Sequence, residues 1–253
     1  QIAIGTQTLV NREEATAGTT QAAVLAARPR LDIGAKSIHN QEQALLYSGD
    51  VLSVGGSLDA QNHASGLAQM IDIGSARMAS VGDMKLATQT LRNLNKHFST
   101  ETYLAESGTQ IKEYALKDQA NRYQNGKDGW WDRRSGESNQ QYAVFNLKDG
   151  GQVWGEHWHV WDYRTDTYKE KVTSSAPGEI VVGGNLYAAG NDWLNQDSHI
   201  LIGGALINDG LAEALKNKAT PGQGRFESVG TQYDSTWERR WYKRKRQPRR
   251  VER

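Results

Sequence analysis

The chain has 253 residues, which is long enough for one large domain or two ordinary ones, each with its own hydrophobic core. Apolar residues make up only 37% of it, and it holds 26 glycines but 4 prolines, so the composition favours a polar, turn-rich β protein over a helical bundle. The formal net charge is only +1, and the lack of cysteine excludes a disulfide scaffold, a thiol nucleophile and thiolate metal sites.

Two parts of the chain, residues 1–98 and 178–215, carry a short repeated phrase. Val182-Gly183-Gly184-Asn185-Leu186 is followed 20 residues later by Ile202-Gly203-Gly204-Ala205-Leu206, and a similar phrase stands at residues 54–58. Asparagine-rich and Ser-Gly-Asp clusters, such as Ser48-Gly49-Asp50, lie between the copies and are typical of turns.

A period of about 20 residues fits one lap of a three-sided coil whose strands pair with those of the next lap at about 4.8 Å. We therefore predict an all-β fold built on a right-handed parallel β-helix, with Leu186 and Leu206 pointing inward and glycines at the corners. The alternative, a β-sandwich of short strands, does not explain the period.

Residues 99–177 interrupt this rhythm with an aromatic-rich insertion. Thirteen aromatic residues lie between 98 and 168, against a single one, Tyr47, in residues 1–97. Spacing predicts a short helix over 109–123, and Asp149-Gly150-Gly151 predicts a β-hairpin that joins 141–147 to 152–163.

The same alternation predicts which side chains of the hairpin are buried. We expect the insertion to have a core of its own, formed by Phe145, Leu147, Trp158 and Val160. Trp154 is expected on the same face as Trp158, because an even number of residues separates the two on one continuous strand.

A glycine-rich turn at residues 125–129 leads directly into two adjacent tryptophans, which cannot share one face of a strand. Tryptophan, tyrosine and arginine gathered at a loop tip are typical of an interface hot spot. The residues predicted to bind a receptor are Tyr123, Lys127, Asp128, Trp130, Trp131, Arg133 and Arg134. The alternative is an aromatic cluster that closes the loop on itself.

No motif indicates chemistry, so we expect no enzyme activity, no cofactor and no metal. His157 and His159 share a strand face, but a third ligand is not evident. A glycan-cleaving β-helix enzyme remains an alternative that would draw its carboxylates from Asp128, Asp132, Asp162 and Asp166.

Residues 216–253 are predicted to be a basic aromatic tail or linker, with nine Lys or Arg residues between 239 and 253. Basic side chains interleaved with Trp237, Trp241 and Tyr242 would also suit a nucleic acid or an anionic membrane. We favour a solvated linker and no nucleic-acid partner, and we expect the chain to be an excised piece of a longer protein.

Three stretches, residues 44–50, 54–60 and 91–95, resemble the filamentous haemagglutinin repeats of large two-partner-secreted exoproteins. Within that group the chain is most similar to the CdiA effectors of contact-dependent growth inhibition, over about residues 24–98 and 178–210. The resemblance implies a secreted, cell-surface β-helical stick, interrupted by a region that binds a receptor on a neighbouring bacterium.

The resemblance also implies the class of receptor, an outer-membrane β-barrel. We favour the nucleoside channel Tsx, because a narrow tryptophan-tipped loop suits a small barrel mouth. The assembly barrel BamA, a general porin or, outside proteins, the lipopolysaccharide core are the alternatives. We expect no homo-oligomer, and a toxin that lies outside this segment. The rival interpretation is the structural shaft of an adhesin.

Overall fold

The computed structural model describes residues 1–16, 19–132, 143–209 and 215–236. These residues form strands and turns without a helix, so the predicted all-β class is confirmed. In this part of the chain no helix is long and apolar enough to cross a membrane. The chain divides into two compact units: unit 1 comprises Gln1–Glu101 with Lys171–Pro221, and unit 2 comprises Thr102–Glu170 with Gly222–Arg253.

The strands follow one another along the chain with short connections. The first thirteen are β1 (Ile2–Arg12), β2 (Glu14–Thr16), β3 (Thr19–Gln21), β4 (Val24–Ala27), β5 (Arg30–Gln41), β6 (Leu45–Ser48), β7 (Val51–Gly55), β8 (Ser57–Leu58), β9 (Ala64–Ser65), β10 (Ala68–Gly74), β11 (Arg77–Ser80), β12 (Met84–Leu94) and β13 (Ser99–Ser107). The others are β14 (Ile111–Leu116), β15 (Tyr123–Gln124), β16 (Gly129–Asp132), β17 (Ala143–Leu147), β18 (Gln152–Gly155), β19 (His157–Ser174), β20 (Glu179–Val182), β21 (Leu186–Ala189), β22 (Asp192–Gln196), β23 (His199–Ile202), β24 (Leu206–Asp209), β25 (Leu215–Lys218) and β26 (Gly224–Thr236).

Unit 1 is built on two parallel sheets. A nine-stranded sheet has the order β1-β5-β10-β12-β21-β24, with β7, β22 and β25 paired beside this path, and a five-stranded sheet has the order β23-β20-β11-β6-β4. The long strands β5 and β12 each pair with two consecutive short strands, β7 along their first half and β10 along their second. Successive passes of the chain therefore align in three parallel ladders.

One ladder of apolar side chains illustrates how these passes form the core. Leu31 pairs with Leu52, Leu52 with Met84, Met84 with Leu186, and Leu186 with Leu206. The first four are at most 1% exposed, and burying each such side chain contributes about 1.5 to 3 kcal/mol. Leu206 is 46% exposed because β24 is the last strand of the described path, so the prediction that it lies in the interior is wrong.

The predicted 20-residue spacing holds where no segment is inserted. Ile180 pairs with Ile200 and Leu186 with Leu206, each 20 positions along the chain. Leu52 and Met84 pair across a longer interval because the β8–β9 hairpin lies between them. Repeat length therefore varies with the insertion, while the strand register stays in step.

The glycine corners align differently from the sequence prediction. Gly183 follows the corner at Gly82 and precedes the one at Gly203, whereas Gly55-Gly56 approaches the β8–β9 hairpin. The proposed match between residues 54–58 and 182–186 is therefore wrong. At Gly183 a Cβ would collide with the carbonyl oxygen of Val81 in the preceding pass, so this corner requires glycine.

Asparagines that the sequence places in turns form a buried seam, which we call the asparagine seam: Asn11, Asn40, Asn93, Asn195 and Asn217. Asn11 Nδ2 donates to Asn40 Oδ1 at 2.8 Å, Asn93 Nδ2 to Asn195 Oδ1 at 2.6 Å, and Asn195 Nδ2 to Asn217 Oδ1 at 2.7 Å. The same amides donate to backbone carbonyls just past the corner, as Asn195 Nδ2 does to the carbonyl oxygen of Ser198 at 2.8 Å. Each side chain thus links two passes and closes a turn.

A buried carboxylate fixes the β8–β9 hairpin to β5. Asp32 is fully buried and accepts hydrogen bonds from Arg30 Nε at 2.6 Å and from the backbone N–H of Ala64 at 3.0 Å. Burial by itself would raise the pKa of Asp32, but these hydrogen bonds and the guanidinium charge together lower it. Asp32 therefore stays ionised and holds the hairpin.

Unit 2 is antiparallel and contains a helix-free aromatic region. Its larger sheet has the order β13-β19-β14-β15, with β26 also paired to β19, and its smaller sheet is β16-β17-β18. The predicted hairpin is present, since β17 pairs with β18 and Phe145 lies opposite Val153. Phe145, Trp158 and Val160 are buried, as predicted, and Leu147 packs against them.

The predicted helix over residues 109–123 is wrong. Residues 111–116 form β14, which pairs antiparallel with β19 so that Tyr114 faces Val160 and Leu116 faces Trp158. The spacing of Ile111 and Tyr114 suits either a helix or a strand, and the long partner strand β19 decides between them by offering a complete hydrogen-bonded edge.

The expected common face of Trp154 and Trp158 is also wrong. The strand breaks at Glu156, after which β19 begins in the other sheet. Val153 packs against the core while Trp154 is 44% exposed, whereas Trp158 is 1% exposed. A break of one residue reverses the alternation, because side-chain direction has a period of two.

The predicted tail from residue 216 contains folded strand. Residues 224–236 form β26, which pairs along β19 from His157 opposite Thr236 to Lys169 opposite Gly224. Much of β26 is exposed on both faces, so its sequence lacks the apolar alternation by which a strand is recognised. Residues 237–253, with Trp237, Trp241, Tyr242 and the run of basic residues, lie outside the described residues.

The ladder position shared by Leu186 and Leu206 allows a matched test. We expect Leu186→Asp to prevent folding of unit 1, because an unpaired charge in the core costs several kcal/mol. Leu206→Asp, one pass later and half exposed, is expected to cost about 1 kcal/mol or less. Circular dichroism during urea unfolding measures both, and equal effects would contradict the assigned ladder.

Candidate partner-binding surface

The glycine-rich turn before Trp130 has a defined backbone. Gly126 has a φ of +84°, its N–H donates to the carbonyl oxygen of Gly129 at 2.7 Å, and the N–H of Asp128 donates to that of Gln124 at 2.9 Å. The carboxylate of Asp128 accepts the N–H of Gln124 at 2.7 Å, and the amide oxygen of Asn125 accepts the N–H of Trp131 at 3.0 Å. The side chains of the turn thus hold its shape.

An aromatic cluster lies beneath the turn. Trp131 stacks on Tyr114, with ring centroids 4.3 Å apart and planes 6° from parallel, and meets Trp158 edge-on at 4.8 Å. Tyr123 stacks on Phe145 at 5.4 Å. These contacts anchor both strands that flank the turn, β15 and β16.

The predicted receptor-binding residues fall into three groups. Trp130 is 56% exposed and Lys127 is exposed, so both are accessible to a partner. Tyr123, Asp128 and Trp131 are half-buried and engaged in the cluster or the turn. The other two, Arg133 and Arg134, lie outside the described residues. The accessible part of the predicted set is therefore Lys127 and Trp130.

A second exposed aromatic group, which the sequence reasoning missed, lies on the larger sheet. The guanidinium of Arg122 lies 3.8 Å from the ring centroid of Trp161, and Arg122 also pairs with Glu113 at 3.1 Å. Next to it, His159 Nδ1 lies 2.6 Å from a carboxylate oxygen of Asp234. The face shared by His159 and Trp161 was readable from the alternation, but the partners Arg122 and Asp234 come from distant segments.

The histidines do not gather ligands for a metal. His157 lies 3.4 Å from the hydroxyl of Thr236, and His159 is paired with Asp234. Across the described ranges, no group of three His, Cys, Asp or Glu side chains could hold a metal ion.

The carboxylates of β19 are held in the ionised form. Burial by itself would raise the pKa of Asp162, but hydrogen bonds from Gln110 and Lys112 lower it. The hydroxyl of Ser107, at 2.7 Å, and Arg164 lower the pKa of Asp166. A glycosidase needs one carboxyl group whose pKa is raised so that it can act as an acid, and these two have the opposite shift.

Comparisons of this chain with protein-family models, with curated proteins and with solved structures gave no match. The argument for a function therefore depends on the residues and their geometry.

The two adjacent tryptophans should separate by stability. We expect Trp131→Ala to lower the free energy of unfolding of unit 2 by about 2 to 4 kcal/mol, because it removes two ring contacts from the cluster. Trp130→Ala should change it by about 0.5 kcal/mol or less, since the ring is largely exposed. Urea unfolding followed by near-ultraviolet circular dichroism measures the difference, and equal losses would refute the placement of these rings.

Proposed function

We propose that unit 1 is a right-handed parallel β-helix with laps of about 20 residues, extended where hairpins are inserted. Parallel pairing at intervals of 20 residues, as between Ile180 and Ile200, supports a coiled path. The three aligned ladders and the buried column from Leu31 to Leu186 are what a three-sided coil requires.

We further propose that the chain is the receptor-binding segment of a cell-surface effector of contact-dependent growth inhibition. In this proposal unit 1 belongs to the haemagglutinin-repeat stick, and unit 2 recognises an outer-membrane protein on a neighbouring bacterium. The work is binding without chemistry, and the effector is secreted to the cell surface. The resemblance of residues 44–60 and 91–95 to haemagglutinin repeats supports the family.

The observation that carries the binding role is the exposed Trp130 at the end of a rigid turn. A tryptophan that is 56% exposed beside an exposed lysine is unusual on a surface with no partner. The turn is held from below by the stacked rings of Trp131 and Tyr114, so little ordering entropy is lost when it binds. A narrow and rigid projection of this kind suits the mouth of an outer-membrane β-barrel, and the nucleoside channel is our preferred receptor.

The test is capture of outer-membrane proteins by the purified chain, followed by affinity measurement on the captured barrel. We expect Trp130→Ala to weaken binding about thirtyfold, equivalent to about 2 kcal/mol, and Lys127→Ala to weaken it less. Phe226→Ala is the matched control, because Phe226 is a 78% exposed aromatic residue on β26 of the same unit. Its affinity should be unchanged.

Two outcomes would contradict the proposal. Capture of no outer-membrane protein would favour a purely structural adhesin shaft. Full affinity of both Trp130→Ala and Lys127→Ala, with the fold intact, would remove the turn from the interface.

A further inference from the structure

The outward side of the three-stranded sheet carries two tryptophans. Trp130 on β16 lies opposite Asn146 on β17, which lies opposite Gln152 on β18, and Trp154 on β18 lies opposite Val144. Alternation places these side chains on the side away from Trp131 and Phe145. We call this surface the outer tryptophan face; its residues are Trp130, Asp132, Val144, Asn146, Gln152 and Trp154.

The two tryptophans stand at the edges of this face with a lower floor between them. Trp130 is 56% and Trp154 44% exposed, whereas Val144 on the central strand is fully buried and Asn146 is 9% exposed. Two strand spacings and a diagonal offset of two residues place the two Cα atoms roughly 12 Å apart. That span exceeds a single small ring and suits a short chain of rings.

The floor between the tryptophans offers uncharged hydrogen-bonding groups. Gln152 Nε2 donates to Asn146 Oδ1 at 2.7 Å, which fixes the orientation of both amides. This leaves the amide N–H groups of Asn146 and the amide oxygen of Gln152 for a ligand. Among the described residues Asp132 is the only charged member of the face, so the surface does not attract an anionic ligand.

These features together match the chemistry of a sugar chain. A pyranose ring has one face of C–H groups, which stacks on the electron-rich face of an indole ring, and an edge of hydroxyl groups, which both donate and accept hydrogen bonds. A protein partner would be expected to bury an apolar floor, whereas here the accessible floor is a pair of amides.

We propose that the outer tryptophan face binds a neutral oligosaccharide, with one sugar ring stacked on Trp130, another on Trp154, and hydroxyl groups on Asn146 and Gln152. This site goes beyond the proposed receptor function, because its ligand is a carbohydrate and Trp154 has no part in the turn that is proposed to meet the receptor.

The test measures binding of three neutral probes, maltohexaose, cellohexaose and chitohexaose, to the full chain by calorimetry and by tryptophan fluorescence. We expect at least one probe to bind. Trp130→Ala and Trp154→Ala should each weaken that binding at least tenfold, and Phe226→Ala should not change it. Trp154→Phe keeps an aromatic ring and should retain most of the affinity, which separates loss of stacking from a damaged fold.

The outcomes distinguish this site from the receptor-binding turn. Lys127→Ala should leave sugar binding intact, and Trp154→Ala should leave capture of outer-membrane proteins intact. Sugar binding without protein capture would support the carbohydrate site and refute the proposed receptor function. Failure of all three probes to bind, or binding that survives both tryptophan variants, would overturn the carbohydrate site.

Discussion

The asparagine seam is the interaction on which unit 1 depends. A parallel coil turns sharply at every corner, and the carbonyl groups there face inward, where an unpaired one costs about 1 to 3 kcal/mol. Asn93 Nδ2 answers this requirement by donating to the carbonyl oxygens of Gly178 and His199 as well as to Asn195. The seam is interrupted once, at Ile73, which pairs with both Asn40 and Asn93. Asn93 Oδ1 consequently has no donor among the described residues.

Unit 2 solves a different problem, because a short antiparallel sheet has little apolar area to bury. Aromatic rings provide it: Trp158 and Phe145 lie at the centre, and Tyr114 and Trp131 stack above them. Large rings held on three sides also stiffen the strands around the turn. The adjacent Trp130 is thereby left at the surface, since its neighbour occupies the inward position. The same packing that stabilises the unit thus presents the candidate binding residue.

Much of unit 1 was predictable from the sequence, because the register of a parallel coil repeats locally. Leu186 and the Gly183 corner follow from a 20-residue period alone. The seam was not predictable, since asparagine favours turns and a buried amide ladder equally, and only the stacking of passes decides. In unit 2 the hairpin was predictable from Asp149-Gly150-Gly151, but the partners of β19 were not. Residues 111–116 and 224–236 become strands because a long neighbouring edge pairs with them, and no local pattern reports an edge supplied by a distant segment.

The most direct measurement of the central claim, that the asparagine seam links successive passes, is a double-mutant cycle between Ile73→Asn and Asn93→Leu by urea unfolding. An asparagine at position 73 would donate to the unpaired Asn93 Oδ1, as Asn11 does to Asn40. The account predicts that Ile73→Asn is better tolerated, by about 1 kcal/mol or more, when Asn93 is present than when it is replaced by leucine. Additive free energies in the two backgrounds would contradict it.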